Sequence, residues 1–212
     1  MNLIIDVGNT KVKLAVFNEQ ELVVKVSANH KNFISKINKL QDDYKDLQHG
    51  IISSVGKISE DDFEQLKKML KLLILNSSTK IPFKNCYKTP TTLGVDRIAL
   101  VSASVNKFPD KNVLIIDAGT CITYDFITND NNYLGGAISP GIKMRYMALH
   151  NFTANLPLLD AKLPKNLIGN STSESIHSGI VTGILKEIDG IVLEYEKKYQ
   201  DLTVILTGGD AK

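Results

Sequence analysis

Two stretches of the chain share one pattern of apolar and polar positions. Residues 3–16 read LIIDVGNTKVKLAV and residues 114–127 read LIIDAGTCITYDFI. Both hold Leu-Ile-Ile-Asp-x-Gly, then a threonine, then alternating residues, the mark of an internally duplicated structural unit. In each copy a short apolar run, Leu3-Ile4-Ile5 or Val113 to Ile116, predicts a buried strand. Gly8-Asn9 and Ala118-Gly119 predict tight turns, where glycine and asparagine tolerate positive φ. Lys11 to Phe17 and Thr123 to Ile127 then alternate as half-buried return strands.

The rest of the pattern fills in around these hairpins. After the first come a strand over Leu22 to Val26, a helix over about 31–40 and a strand over Gly50 to Ser54. A second helix starts near Ser59, with Glu60, Asp61 and Asp62 loading its first turn as the helix dipole prefers. A short strand is expected near Leu72 to Leu75, and a helical run holds Ile98-Ala99-Leu100-Val101. After the second hairpin a strand is predicted over Tyr133 to Ile138. Ser139-Pro140 then predicts a helix start, with Ser as N-cap and Pro in the first helical position. Residues 151–171, with Pro157 and Pro164, predict irregular chain. A long helix begins near Thr172, with Ile176, Ile180, Ile184 and Ile188 falling at every fourth position. A last strand, Leu202 to Leu206, ends at Thr207-Gly208-Gly209-Asp210.

Hairpins followed by helices, twice over, predict an α/β protein of two similar lobes. The polar stretch Lys107 to Lys111 sets the expected boundary, giving lobes of 1–108 and 109–212. A cleft between duplicated lobes is the expected ligand site.

Bulk composition narrows the classes. With 212 residues, 43% hydrophobic and 23% charged, the chain reads as an ordinary globular protein able to bury a substantial core. A net charge of +2 gives no support to a nucleic-acid surface. Lys67, Lys68, Lys71, Lys197 and Lys198 sit among acids and apolar residues, as on a solvated helix face. Cys86 and Cys121 form no CxxC, so a reduced pair is expected and a zinc site is not. The apolar start stops at Asp6, and no run approaches membrane-spanning length, so a cytoplasmic protein without nucleic-acid or membrane partners is expected.

Candidate chemistry gathers at the duplicated segments. In Asp6-Val7-Gly8-Asn9-Thr10, backbone N–H groups, the Thr10 hydroxyl and nearby Lys13 suit phosphate oxygens, and Asp6 suits Mg²⁺. Taken alone, such a segment is most often a plain hairpin turn; two copies of Ile-Ile-Asp-x-Gly are hard to explain as two idle turns. In the second copy Asp117 suits a cation and Thr120 a phosphate. Leu93-Gly94-Val95-Asp96-Arg97 precedes a helical run, where Asp and Arg serve a helix cap as readily as a site. Tyr87 lines a pocket or packs on the surface. Gly135-Gly136 and Gly208-Gly209 stand at predicted strand ends, where a backbone can approach a ligand, and the second pair suits the adenine or ribose. The chain holds no GxxxxGK[ST], GxGxxG, HExxH or GxSxG, and His30, His49, His150 and His177 are scattered. P-loop kinase, dehydrogenase, metalloprotease and serine-hydrolase readings fall away.

The hairpins resemble those of the acetate kinase, sugar kinase, Hsp70 and actin superfamily. Within it the chain resembles type III pantothenate kinases along nearly its whole length. The motifs, in order, are Asp6 to Thr10 (DxGNT), Ser53-Ser54-Val55, Tyr87 seven residues before Gly94 to Arg97 (GxDR), and Asp117 to Asp125 (DxGTxxTxD). There follow Gly135 to Gly141 (GGxIxPG), Thr172 leading to Ser178-Gly179, and Thr207 to Asp210 (TGGD). The resemblance implies two ribonuclease H-like lobes of the actin-like ATPase fold with ATP between them. It implies transfer of the ATP γ-phosphoryl group to the 4′-hydroxyl of pantothenate, the first step of coenzyme A synthesis.

By position, the resemblance makes Asp96 the catalytic base, and Tyr87, Gly94, Val95, Asp96, Arg97 and Thr172 pantothenate contacts. Asp6, Val7, Gly8, Asn9, Thr10, Lys11, Val12, Lys13 and Thr120 match ATP contacts. Asp117 matches a monovalent-cation ligand, K⁺ or NH₄⁺, while Mg²⁺ accompanies ATP near Asp6. A homodimer with substrate near its interface is implied. So is further chain after the TGGD motif, where this sequence has two residues more. The competing reading is a nucleotide-binding accessory or regulatory protein without turnover; Asp6, Asp96 and Asp117 together favour the kinase.

Overall fold

The computed structural model describes residues 1–56 and 58–211. The chain divides into two compact units, one of Met1–Ile81 and Thr89–Leu100, the other of Pro82–Lys88 and Val101–Lys212.

In the first unit, β1 (Asn2–Val7), β2 (Val12–Asn18), β3 (Glu21–Ala28), β4 (His49–Ser54) and β5 (Lys71–Ile74) form one sheet in the order β3-β2-β1-β4-β5. β1 pairs antiparallel with β2 and parallel with β4, so it lies at the centre. Alternation places Leu3, Ile5 and Val7 of β1, with Val12, Leu14 and Val16 of β2, on one buried face. Helices α1 (Phe33–Asp43) and α2 (Glu60–Met69) contribute Phe33, Ile37, Leu40 and Leu66 to the same core. Helix α2 starts where the sequence predicts, and Ser59 caps it by accepting the Asp62 N–H at 3.1 Å.

In the second unit, β7 (Asn112–Ala118), β8 (Cys121–Ile127), β9 (Asn132–Pro140) and β10 (Leu202–Thr207) are joined by a two-residue strand, β6 (Lys84–Asn85). The order is β10-β7-β8-β9-β6. Its β9-β8-β7-β10 part repeats β3-β2-β1-β4, with the same antiparallel, antiparallel and parallel pairings. Leu114, Ile116, Ile122, Tyr124 and Phe126 bury one face with Tyr146 of α4 (Ile142–Asn151), Ile176 of α5 (Thr172–His177) and Ile184 of α6 (Gly183–Lys198). Helix α3 (Val95–Lys107) carries the chain from the first unit into the second.

Three local expectations are corrected. Neither Gly8-Asn9 nor Ala118-Gly119 takes positive φ. The first hairpin closes through a wider loop, residues 8–11, with the Gly8 N–H donating to the Lys11 carbonyl at 3.1 Å, and a loop of that length needs no left-handed residue. Ser139 and Pro140 do not open a helix. They continue β9, paired with Ile122 and Cys121, and α4 starts after Gly141. A proline at a strand end gives up an N–H that the ladder does not need. Finally, the long C-terminal helix is interrupted by a π turn, Ser178–Thr182. Residues spaced by four drift about 40° per step on a 3.6-residue helix. A π turn widens the coil and offsets that drift, which keeps Ile176, Ile180 and Ile184 in one core.

Candidate active site

The two Asp-x-Gly segments take equivalent places. Asp6 is the next-to-last residue of β1, opposite Lys13 on β2 and Ser53 on β4. Asp117 is the next-to-last residue of β7, opposite Thr123 on β8 and Thr207 on β10. Each carboxylate thus stands at the C-terminal end of a central strand and is partly exposed.

Around Asp6, Lys13 places Nζ 3.6 Å from Oδ2, with both side chains open to water. Val7 and Val12 face the core, while Asn9, Thr10 and Lys11 project from the loop. The Val55 and Gly56 N–H groups donate to the Val7 carbonyl at 3.1 and 2.9 Å, fastening the end of β4 to the hairpin. Through these two bonds the strand end that carries Ser53-Ser54-Val55 braces the loop.

Around Asp117 the brace is repeated. The Asp210 N–H donates to the Ala118 carbonyl at 3.0 Å, which fixes the TGGD segment to the second hairpin. The Gly141 N–H donates to the Thr120 carbonyl at 3.1 Å, so the GGxIxPG segment braces the turn from its other side. Thr120 itself is exposed.

The GxDR residues begin α3. The Ile98 N–H donates to the Gly94 carbonyl at 3.1 Å, and Asp96 lies in the first turn, where the helix dipole favours a negative charge. Asp96 Oδ1 accepts the Arg97 backbone N–H at 2.9 Å. A Cβ on Gly94 would collide with that carboxylate oxygen, so position 94 admits no side chain while Asp96 holds this rotamer. Arg97 is 5% exposed, and Asp96 and Val95 are half-buried.

Tyr87 lies in the second unit, half-buried beside Tyr133 and Gly135. Thr172 is the exposed first residue of α5, following the N-cap Ser171. The structure thus groups the predicted residues into one set in the first unit (6–13 and 94–97) and another in the second (87, 117, 120 and 172).

Sequence reasoning missed a partly buried polar network behind the second hairpin. Arg145 Nη2 donates to Glu187 Oε2 at 2.5 Å and to Ser139 Oγ at 2.9 Å, while its Nε donates to the Pro140 carbonyl at 2.9 Å. The Tyr124 hydroxyl donates to Glu187 Oε1 at 2.9 Å. Burial by itself would raise the Glu187 carboxyl, but hydrogen bonds from Arg145, Ser139 and Tyr124, with the Arg145 charge, outweigh it and hold its pKa below the ordinary value. Burial first, then the bond to Glu187, pushes the Tyr124 phenol well up. These partners are far apart in sequence, and no local motif marks them. Asp125 was more legible: an acid between Tyr124 and Phe126 in a buried run breaks the pattern. Among the described residues no group of three or more His, Cys, Asp or Glu clusters as a metal site, and no helix is long and apolar enough to cross a membrane. Asp6 and Asp117 each offer a single carboxylate, which fits an ion that takes its other ligands from phosphate and water.

Two mixed sheets with this repeated order, each with an acidic strand end at its centre, define an α/β fold of the sugar-kinase and actin-like ATPase class. A glucokinase structure from an Antarctic psychrotroph superposes with a TM-score of 0.50 at 13% identity, covering 99% of this chain and 83% of that one. A Baf family protein of Campylobacter jejuni gives 0.60 at 22% identity, covering 98% and 83%; at these identities the likeness speaks for the fold alone.

The chain belongs to the type III pantothenate kinase family, whose model matches residues 2–194. A Christiangramia forsetii protein named type III pantothenate kinase is 52% identical over 212 residues, covering 100% of this chain and 87% of its own length.

Proposed function

We propose that this protein is a pantothenate kinase, moving the γ-phosphoryl group of ATP to the 4′-hydroxyl of pantothenate at the start of coenzyme A synthesis. Membership of the type III family carries the reading. The recurrence of Asp-x-Gly at the ends of two equivalent central strands supports it.

Phosphoryl transfer asks for positioning and charge neutralisation more than covalent chemistry. In this reading the 8–11 loop, with Asp6, Val7, Val12 and Lys13 around it, and Thr120 bind the ATP phosphates through N–H, hydroxyl and ammonium donors. Mg²⁺ at Asp6 and a monovalent cation, K⁺ or NH₄⁺, at Asp117 supply positive charge to the phosphates. Asp96 accepts the proton of the 4′-hydroxyl as the new P–O bond forms and the bond to ADP breaks. Arg97 grips the pantothenate carboxylate through its planar fork, while Tyr87, Gly94, Val95 and Thr172 shape the rest of that pocket.

The reading includes a homodimer. Phe152, Leu158, Leu163, Leu167 and Ile168 are all exposed, Phe152 at 88%, within one irregular segment leading to Thr172. Exposed apolar side chains in such number suit cover by a second copy of the chain. ATP and pantothenate are both water-soluble, and the reading places the enzyme in the cytoplasm.

The deciding test is ADP release from Mg²⁺-ATP with K⁺ present, with and without pantothenate. Pantothenate-dependent turnover that drops when Na⁺ replaces K⁺ is expected. A folded protein that binds ATP but releases no ADP would overturn the kinase reading in favour of a nucleotide sensor.

A further inference from the structure

Tyr87 is held by β6 and β9. β6 pairs with β9, Asn85 opposite Tyr133, and the Cys86 N–H donates to the Tyr133 carbonyl at 3.0 Å. The backbone leading into Tyr87 is therefore fastened to β9 at Tyr133. The Tyr87 N–H donates to Asn85 Oδ1 at 3.0 Å, which turns the chain at that point. The Tyr87 ring then stacks on the Tyr133 ring, centroids 6.2 Å apart and planes 27° apart.

Tyr133 is itself fixed. It is fully buried, Phe83 packs edge-on against it at 5.7 Å, and its hydroxyl donates to Asp125 Oδ1 at 2.6 Å. Asp125 is likewise 0% exposed. Burying a carboxyl is costly unless it is hydrogen-bonded, and the Tyr133 hydroxyl supplies such a bond. Its bond to the phenol fixes where the axis of the Tyr133 ring points, and packing by Phe83 and Tyr87 sets the rotation about that axis.

Gly135 completes the arrangement. The β8–β9 register shifts here, with Ile127 opposite Tyr133 and Phe126 opposite Gly135, which leaves Leu134 as the bulged residue. Gly135 takes φ +106°, and a Cβ there would stand 3.2 and 3.3 Å from Tyr87 Cδ2 and Cε2. The bulge thus lets the Tyr87 ring lie directly over bare backbone.

We infer that Asp125, Tyr133 and Gly135 form a seat that positions Tyr87 for the acceptor substrate, making Tyr133 and Asp125 positioning residues for pantothenate rather than for ATP. The inference rests on Tyr87 being a pantothenate contact. A substrate that leans on one ring feels small changes in that ring's tilt, since misplacement costs binding and rate together.

The test is a set of full-length variants assayed for KM of both substrates. Tyr133→Phe keeps the ring and loses the hydroxyl; it should raise the pantothenate KM about fivefold and leave the ATP KM within about twofold. Asp125→Asn keeps an acceptor oxygen and should raise the pantothenate KM less than Asp125→Ala, which should match Tyr133→Phe. In a Tyr87→Ala background, Tyr133→Phe should add nothing, because the ring it positions is gone. Equal rises in both KM values, or additivity in the double variant, would mean a merely structural bond and overturn the seat. If Tyr87→Ala alone leaves the pantothenate KM unchanged, the substrate role of Tyr87 fails and the seat fails with it, while pantothenate-dependent ADP release would still uphold the kinase.

Discussion

Asp6 and Asp117 hold one and the same position in two separate sheets: each is next to last on a central strand, with an antiparallel neighbour on one side and a parallel neighbour on the other. Duplication explains the match, and the proposed phosphate and cation chemistry would use both acids.

Replacing either acid should therefore cost activity far more than stability. Asp6→Asn removes an exposed pair with Lys13 worth at most about 1 kcal/mol. Its melting temperature should barely move, while kcat falls by about a hundredfold or more. Asp117→Asn should abolish the advantage of K⁺ over Na⁺. Calorimetric melting and ADP release in the two salts check both; a Asp117→Asn enzyme that keeps full K⁺ stimulation refutes the cation role.

Asp96→Asn keeps the shape and the acceptor oxygen for the Arg97 N–H but loses the base. Turnover should fall by about a hundredfold to ten-thousandfold with ATP affinity nearly intact. Isothermal titration with a non-hydrolysable ATP analogue, beside steady-state kinetics, separates the two effects. Near-normal turnover would remove Asp96 from the proposed chemistry.

Gly94→Ala should act through Asp96, whose carboxylate occupies the space the new methyl would need. A carboxylate pushed aside by about 1 Å should cost roughly tenfold to a hundredfold in kcat/KM for pantothenate. Retained activity would show that Asp96 works from a different rotamer.

Glu187 gives a pH prediction. Its pKa lies below the ordinary 4.5 in the folded protein. A depressed carboxyl contributes stability that is present above the unfolded pKa and lost as pH falls through the folded one. Glu187→Gln, which weakens the bond to a mostly buried Arg145, should destabilise the protein by about 2 kcal/mol at pH 7. That difference should shrink once the pH drops below 4.5. Urea melts of both proteins across pH 3 to 8 test it; a gap that stays constant would show that Glu187 acts through shape rather than charge.

The sequence by itself determined the two hairpins, their duplication, the α/β class and the family. All of these rest on local apolar period, on repeated spelling and on ordered motifs, which need no knowledge of distant partners. It also located the start of α2 near Ser59, because a helix start is marked by the few residues around it. Tertiary structure decided the rest. Ser139-Pro140 reads locally as a helix start, but pairing with Cys121 and Ile122 keeps it in β9. The every-fourth isoleucines read as one helix, but a π turn interrupts it where Ile176, Ile180 and Ile184 pack in the second unit's core. The bond of Arg145 to Glu187, 42 residues away, and the seat of Tyr87 on Tyr133 exist only once β9, α4 and α6 have packed. The physical reason is common to all four. Strand ladders and buried polar pairs draw their energy from groups remote in the chain, and a local pattern carries no information about which remote group will arrive.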